Sequence, residues 1–246
     1  MTRMIIPAAG RGTRLQANVP KLLFEVDGKS LIQHVMSCHA PHVDGFIVVI
    51  HPDMERAVRD HLEQTQWPCQ LAFQESATGM LDAILLAADC VRSHDDPNIS
   101  ISWCDQIGIS AKTSAQLHHE VMQLDQYGMV VPTVTKPDPY IHLERDAHGA
   151  VSRILQRREG DVMPNIGEND CGLFALTRAT YLEWLPEYAK NVTGGSATQE
   201  RNFLPFIPWL ARRAKVRTFS VENINESVGI NTRDEARKLS EELPEQ

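Results

Sequence analysis

The first hundred residues alternate between short apolar runs and segments whose apolar positions recur at helical spacing. Met4 to Ala9 is largely apolar and runs into glycines, which predicts a buried strand feeding a loop. Ser30 to Cys38 carries Leu31, Ile32, Val35 and Met36 at three- and four-residue spacing, the pattern of a helix with one buried face. Gly45 to Ile50 is β-branched and apolar throughout, as expected of a strand covered on both faces. Asp53 to Leu62 predicts a mostly polar helix, and Cys69 to Phe73 a third strand. A helix starting at Thr78, with that threonine as its N-cap, would place Met80, Leu81, Ile84, Leu85, Ala88 and Val91 on one face. Ile99 to Trp103 alternates and predicts a fourth strand, with Asp105 just past its carboxyl end. This alternation implies an α/β fold with a doubly wound, mostly parallel, Rossmann-like sheet.

After about residue 110 the rhythm changes. A helix is expected over residues 111–126, a strand near 129–134, and a hairpin over 140–155 turning at Asp-Ala-His-Gly. Further strands are expected at 172–176 and 216–221, with helices at 179–184, 202–213 and 232–243. The segment Asn191 to Thr198, rich in Gly, Ser and Thr, reads as the most flexible loop. No repeat and no long linker interrupts the chain. The expectation is one domain, 1–246, with two lobes, the change of rhythm dividing the chain into 1–110 and 111–246.

Composition narrows the class. Apolar residues make up 42% and charged residues 23% of 246, a globular balance, and no apolar run approaches the roughly 18 residues of a membrane span. The start of the chain leaves no room for the apolar core of a signal peptide. A net charge of −8 disfavours nucleic acid as a partner, because counterion displacement needs a basic surface. Five scattered cysteines form no C-x-x-C pair, which points to a reducing compartment. A cytoplasmic protein binding neither membrane nor nucleic acid is expected. His34, His39 and His42 lie close in sequence and His118 and His119 are adjacent, but neither group has the spacing of a transition-metal site.

The chemistry concentrates in Ala8-Ala9-Gly10-Arg11-Gly12-Thr13-Arg14, directly after the first strand. Glycines let backbone N–H groups approach an anion, so such a loop can cradle phosphates. Leu15 stands where a dinucleotide fingerprint needs its third glycine, and no Gly-Lys-Ser/Thr follows, so neither a Rossmann signature nor a P-loop is complete. Arg14 and Lys21 supply two cations near the loop, as a triphosphate requires. Taken alone, the segment also reads as an ordinary βα turn with solvated cations.

The glycine loop together with Pro20-Lys21 resembles the signature of the sugar-nucleotide pyrophosphorylases, a nucleotidyltransferase family, and in particular their bacterial N-acetylglucosamine-1-phosphate uridyltransferase domains. The resemblance continues in order along the chain. Gln74 to Gly79 is similar to the segment that reads the base, with Gln74, Thr78 and Gly79 as its residues. Trp103-Cys104-Asp105 resembles an aromatic-glycine-aspartate metal motif, Glu168 to Gly172 a sugar-binding segment, and Gly229-Ile230-Asn231 a motif whose asparagine is a second metal ligand. The resemblance implies Mg2+ held by Asp105 and Asn231, with Arg14, Lys21 and Asp105 as catalytic residues. It implies Tyr140, Gln156, Glu168 and Asp170 on the acceptor side, with 1–110 as a nucleotide-binding half and 111–246 as the acceptor-binding half and closing helix, the acceptor held by a smaller lobe. The partners implied are a nucleoside triphosphate, UTP favoured, and a phosphorylated small-molecule acceptor; the oligomeric state is left open.

Departures from the family pattern cluster on the acceptor side. Cys104 replaces a glycine, Ile141 stands where a glycine would follow Tyr140, Gln156 replaces an acid, and Asp170 replaces an asparagine. The expected chemistry is therefore retained while the acceptor differs from N-acetylglucosamine 1-phosphate. Three other functions stay open at this stage: a cytidylyltransferase acting on a non-sugar phosphate such as phosphocholine or a polyol phosphate, an NAD-linked oxidoreductase, and a non-catalytic nucleotide-sugar sensor.

Overall fold

Side chains of successive strand residues point to opposite faces, so a strand apolar throughout has to be covered twice. Two groups of helices do this around one sheet. The computed structural model describes residues 1–10, 15 and 19–241. The amino-terminal half contains β1 (Thr2–Pro7), the short pair β2 (Glu25–Val26) and β3 (Lys29–Ser30), α1 (Leu31–His39), β4 (Gly45–Ile50), α2 (Glu55–Leu62), β5 (Cys69–Phe73), α3 (Met80–Leu86), α4 (Ala88–Arg92) and β6 (Asn98–Ser102). The remainder contains α5 (Ala111–Val121), β7 (Gly128–Pro137), the hairpin β8 (Ile141–Arg145) and β9 (Val151–Gln156), β10 (Ile166–Asp170), β11 (Leu173–Thr177), α6 (Leu185–Ala189), α7 (Phe206–Ala211), β12 (Lys215–Ser220) and α8 (Arg233–Ser240).

The sheet runs β5-β4-β1-β6-β11-β7-β12. The pairings of β1 with β4 and β6, and of β4 with β5, are parallel. β11 is antiparallel to both β6 and β7, and β12 returns parallel to β7. Val130 pairs with both Ala175 and Arg217, and Thr133 with both Asp170 and Ser220, so β10 and β11 share one edge of β7 and β12 takes the other. The break between β10 and β11 falls at Cys171-Gly172, where Gly172 has a φ of +63°. The expected mostly parallel doubly wound sheet is thus present in the first half, with an antiparallel extension in the second.

Met4, Ile6, Phe46 and Val48 pack under α1, α2, α5 and α8 through Leu31, Val35, Val58, Leu117 and Leu239. Ile5, Ile47, Ile99 and Ile101 pack on the other face against Leu81, Ile84, Leu185, Phe206 and Leu210. The β8–β9 hairpin closes that second layer with Ile141, Leu143 and Ile154, so Ile141 is buried in the core. α1 starts on a capping box between Ser30 and Gln33, and α8 on one between Thr232 and Glu235.

Several expectations need correction. Thr78 is not an N-cap: α3 begins at Met80 behind Gly79, with no side-chain cap. The helix expected over 202–213 is confined to Phe206–Ala211, and the one over 111–126 ends at Val121. The helix expected at 179–184 is a π-helical turn (Thr180–Trp184) leading into α6, whose Pro186 has no N–H to donate.

All four parallel strands of the first half end on one edge of the sheet, the edge where open α/β sheets bind ligands. At the opposite edge the fold brings His118 to the neighbouring pair His39 and His42. The His118 ring lies 5.5 Å from that of His42 and 6.1 Å from that of His39. His39 contacts Ser114 Oγ through Nδ1 at 2.7 Å, while its Nε2 and both His118 nitrogens have no hydrogen-bond partner. Among the described residues no set of three or more His, Cys, Asp or Glu is arranged to hold a metal ion. Burial, with neighbouring His42 and the terminal amine, lowers the His118 pKa to about 3, and burial with His118 and His42 lowers His39 well below the usual value.

Both histidines are neutral in the folded chain and bind protons once unfolded, so stability is full above pH about 6.5 and falls as pH drops from there towards 3. Urea unfolding of wild type across pH 7.5 to 4.5 is expected to show this decline. His118→Gln should flatten its slope; an unchanged slope would show that His118 does not carry the effect.

Candidate active site

Asp105 stands three residues beyond β6, at the ligand-binding edge. Its backbone oxygen accepts from the Ile230 amide at 3.1 Å, and a Cβ built on Gly229 would lie 3.2 Å from its carboxylate. The 229–231 segment therefore lies directly against Asp105. Lys21, in a single turn after Pro20, donates to Asp105 Oδ2 at 2.5 Å and to Asn231 Oδ1 at 3.0 Å. The Lys21 and Asp105 side chains are only 13% and 16% exposed. One cation thus joins residues 210 positions apart in sequence.

Several contacts orient the donors. Asn231 Nδ2 donates to Gly229 O at 3.1 Å, which fixes the amide so that Oδ1 faces the ammonium. The Asn231 and Thr232 amides both donate to Glu235 Oε2, at 2.7 and 2.8 Å, as part of the α8 capping box. Upstream, the buried Glu226 carboxylate accepts from the Ser110 amide at 3.1 Å and its hydroxyl at 3.2 Å, fastening the 224–231 segment to the start of α5. Two hard oxygens converging on one cation are the donor set Mg2+ takes from a protein when it also keeps water and substrate phosphates. The oxygens of Asp105 and Asn231 therefore fit that ion. Cys104, beside Asp105, is buried, and burial together with the Asp105 charge pushes its thiol up to about 12.

On the nucleotide side, Ala8 is buried with its amide bonded to Val49 O at 2.7 Å, Ala9 is half-buried, and Gly10 faces open space. Arg11, Gly12, Thr13 and Arg14 lie outside the described residues. Gln74, at the end of β5, donates to Gly79 O at 3.1 Å and Thr78 Oγ1 at 3.4 Å, so the fold brings these three together. Gly79 has a φ of +121° and abuts the Arg201 backbone, which only a residue without Cβ permits.

On the acceptor side the four candidates have different environments. Tyr140 is 49% exposed. The half-buried Gln156 is anchored by its amide to Asp161 at 2.8 Å. Glu168 is engaged by Arg145 through two hydrogen bonds of 2.5 and 2.7 Å; burial opposes its ionisation, but these bonds outweigh it and hold the carboxyl low. Asp170 is buried, which raises its pKa to about 6, and accepts from the Gly172 amide at 3.1 Å. Gly172 then packs on Trp103 and Gln106, which puts Asp170 near the metal motif.

Sequence reasoning passed over Lys136, Glu226 and Glu159. The loop read as flexible, 191–198, is tied down by Glu159. Its carboxylate accepts from Thr198 Oγ1 at 2.6 Å, the Ala197 amide at 3.0 Å and Asn202 Nδ2 at 3.0 Å. Burial opposes ionisation there, yet these bonds hold the pKa down to about 2. Just past that loop, Arg201 reaches the 74–79 segment and the start of α3: Arg201 N donates to Thr78 O at 2.8 Å and Leu81 N to Arg201 O at 3.0 Å. Glu159→Ala is expected to speed tryptic cleavage after Lys190 and Arg201 by about tenfold, as the lost bonds raise the open population. Unchanged digestion would show that Glu159 does not hold the loop.

The chain is similar to known proteins in sequence and in fold. The MobA-like NTP transferase domain matches residues 4–168. The bifunctional protein GlmU of Francisella tularensis subsp. holarctica is 26% identical over 239 residues, covering 96% of this chain and 50% of that protein, and GlmU of subsp. novicida gives the same figures. The chain thus spans about half the length of the curated relatives it matches. Among solved structures, a protein described as a glucose-1-phosphate thymidylyltransferase from Bacillus anthracis superposes with a TM-score of 0.76 at 15% identity, covering 100% of this chain and 98% of that one, a likeness of fold. With the match extending over more than half of its length, the chain belongs to the MobA-like NTP transferase domain family.

Proposed function

We propose that this protein is a magnesium-dependent nucleotidyltransferase that joins the nucleoside monophosphate part of a nucleoside triphosphate to a sugar 1-phosphate. The observation that supports it most is the convergence of Asp105, Asn231 and Lys21 at the ligand-binding edge in a chain of this family. UTP is the first donor to test, on the resemblance of the Gln74–Gly79 segment.

An oxygen of the acceptor phosphate attacks the α-phosphorus; the bond from that phosphorus to the bridging oxygen breaks, and pyrophosphate leaves with the electron pair. The attacking oxygen is already ionised, so no base is required, and the barrier is one of bringing anions together. Mg2+ bound by Asp105 and Asn231 would neutralise phosphate charge. Lys21, released from Asp105, contacts the phosphates: a unit-charge pair at about 4 Å contributes about 4 kcal/mol at an effective dielectric near 20. Arg14 and the glycine-loop amides that follow Ala8 receive the departing pyrophosphate, and Gln74, Thr78 and Gly79 hold the base. Tyr140, Gln156, Glu168 and Asp170 line the acceptor side. No described helix is long and apolar enough to cross a membrane.

Pyrophosphate release across five nucleoside triphosphates and a panel of sugar 1-phosphates, phosphocholine and polyol phosphates is expected to require Mg2+ and to occur with at least one sugar 1-phosphate. Asp105→Ala should lower kcat by about 10³-fold with the fold intact, and Lys21→Ala by about 10²-fold. Wild-type turnover in Asp105→Ala would contradict the assignment.

A further inference from the structure

Lys136 sits near the end of β7, where the apolar run of Met129 to Val134 gives way to polar residues. Its ammonium is half-buried, and burial holds its pKa below the usual lysine value. It donates to Ser227 Oγ at 3.2 Å, and Ser227 donates its own proton to Ile224 O at 2.8 Å, so the serine oxygen is oriented as an acceptor. Asp170 and Asp138 act on Lys136 electrostatically, but it forms no ion pair among the described residues. Other shielded cations are differently engaged: Arg3 is paired with Asp96, Lys21 with Asp105 and Arg201 with Asp82, while Arg178 donates to the backbone oxygens of Val91 and Asp96.

An ammonium has three donors, and a buried charge is tolerated when a counter-charge meets it. Lys136 spends one donor on a neutral oxygen. Its position suggests where the counter-charge comes from. Ser227 and Asn231 are the two ends of the five-residue segment whose middle, Gly229, lies against Asp105; Lys136 holds one end and Lys21 the other. Asp170, one of the candidate acceptor residues, is near enough to interact with Lys136.

We infer that Lys136 binds a negatively charged group of the acceptor, a phosphate or carboxylate, at the opposite end of the 227–231 segment from Lys21. The word acceptor rests on the nucleotidyltransferase reading; the anion site does not. Two sources of charge fit: the phosphate that reacts, or a second anionic group on the same molecule.

The test uses the intact protein with reductively methylated lysines and inorganic phosphate as probe, the Lys136 signal being assigned by its loss in Lys136→Arg. That signal is expected to shift saturably with phosphate, and Lys136→Met to weaken phosphate binding in calorimetry by about tenfold. In turnover, Lys136→Met should raise the acceptor KM by about tenfold with kcat and nucleotide KM within about twofold, and Lys136→Arg should recover much of the loss. An effect on acceptors bearing one phosphate identifies the reacting phosphate; an effect confined to acceptors with a second anion identifies that group. An unchanged acceptor KM overturns the inference whatever phosphate does. Should no acceptor turn over, the function reading fails separately, and the phosphate titration decides the anion site: a saturable shift supports it and a silent signal overturns it.

Discussion

A lysine ammonium held between a carboxylate and an amide is the contact through which the ends of this chain meet. Lys21 follows the glycine loop, Asp105 follows β6, and Asn231 precedes the last helix. Each group comes from a loop, and loops are precise only when something rigid holds them. Here β1 and β6 pair in parallel and end on the same edge, which fixes the base for two of the three groups. Asn231 is fixed differently, by the Thr232–Glu235 capping box below it and the Glu226–Ser110 contact before it. The stability of the last helix and the geometry of the candidate metal site are therefore one problem.

The same economy governs the rest of that edge. Gly79 and Gly172 each occur where a second segment lies against the backbone, Arg201 in one case and Trp103 in the other. Glu159 joins the turn after β9 to the 197–202 segment, and Arg201 joins that segment to Thr78. The 74–79 segment and the β8–β9 hairpin are thereby connected through one strap, so a change in one can reach the other through named hydrogen bonds.

How much of this could be read from residues varies by element. Gly45–Ile50 and Cys69–Phe73 were predicted with the bounds they have, because an apolar run flanked by turn residues has few other places to go. β10 leaves no strand signal, since in Ile166-Gly-Glu-Asn-Asp the apolar Ile166 is exposed while Gly167, Asn169 and Asp170 are buried. The β2–β3 pair is too short to leave a periodic signal. Thr78 looked like a cap because of its type, but the helix start is set by the close approach of Arg201 to Gly79, a tertiary contact. For the site, Asp105 and Asn231 were named through the family resemblance; nothing in their spacing says that they meet. Lys136 is legible as a cation near the end of an apolar strand, but that it forms no ion pair among the described residues is visible only in three dimensions.

The convergence of Asp105, Asn231 and Lys21 on one cation position is tested most directly by Mn2+ binding, followed through water-proton relaxation in the absence of nucleotide. Removing the competing ammonium in Lys21→Met should tighten Mn2+ binding, and adding Asp105→Asn to that variant should abolish the gain. Equal Mn2+ affinity in wild type, Lys21→Met and the double variant would contradict the account.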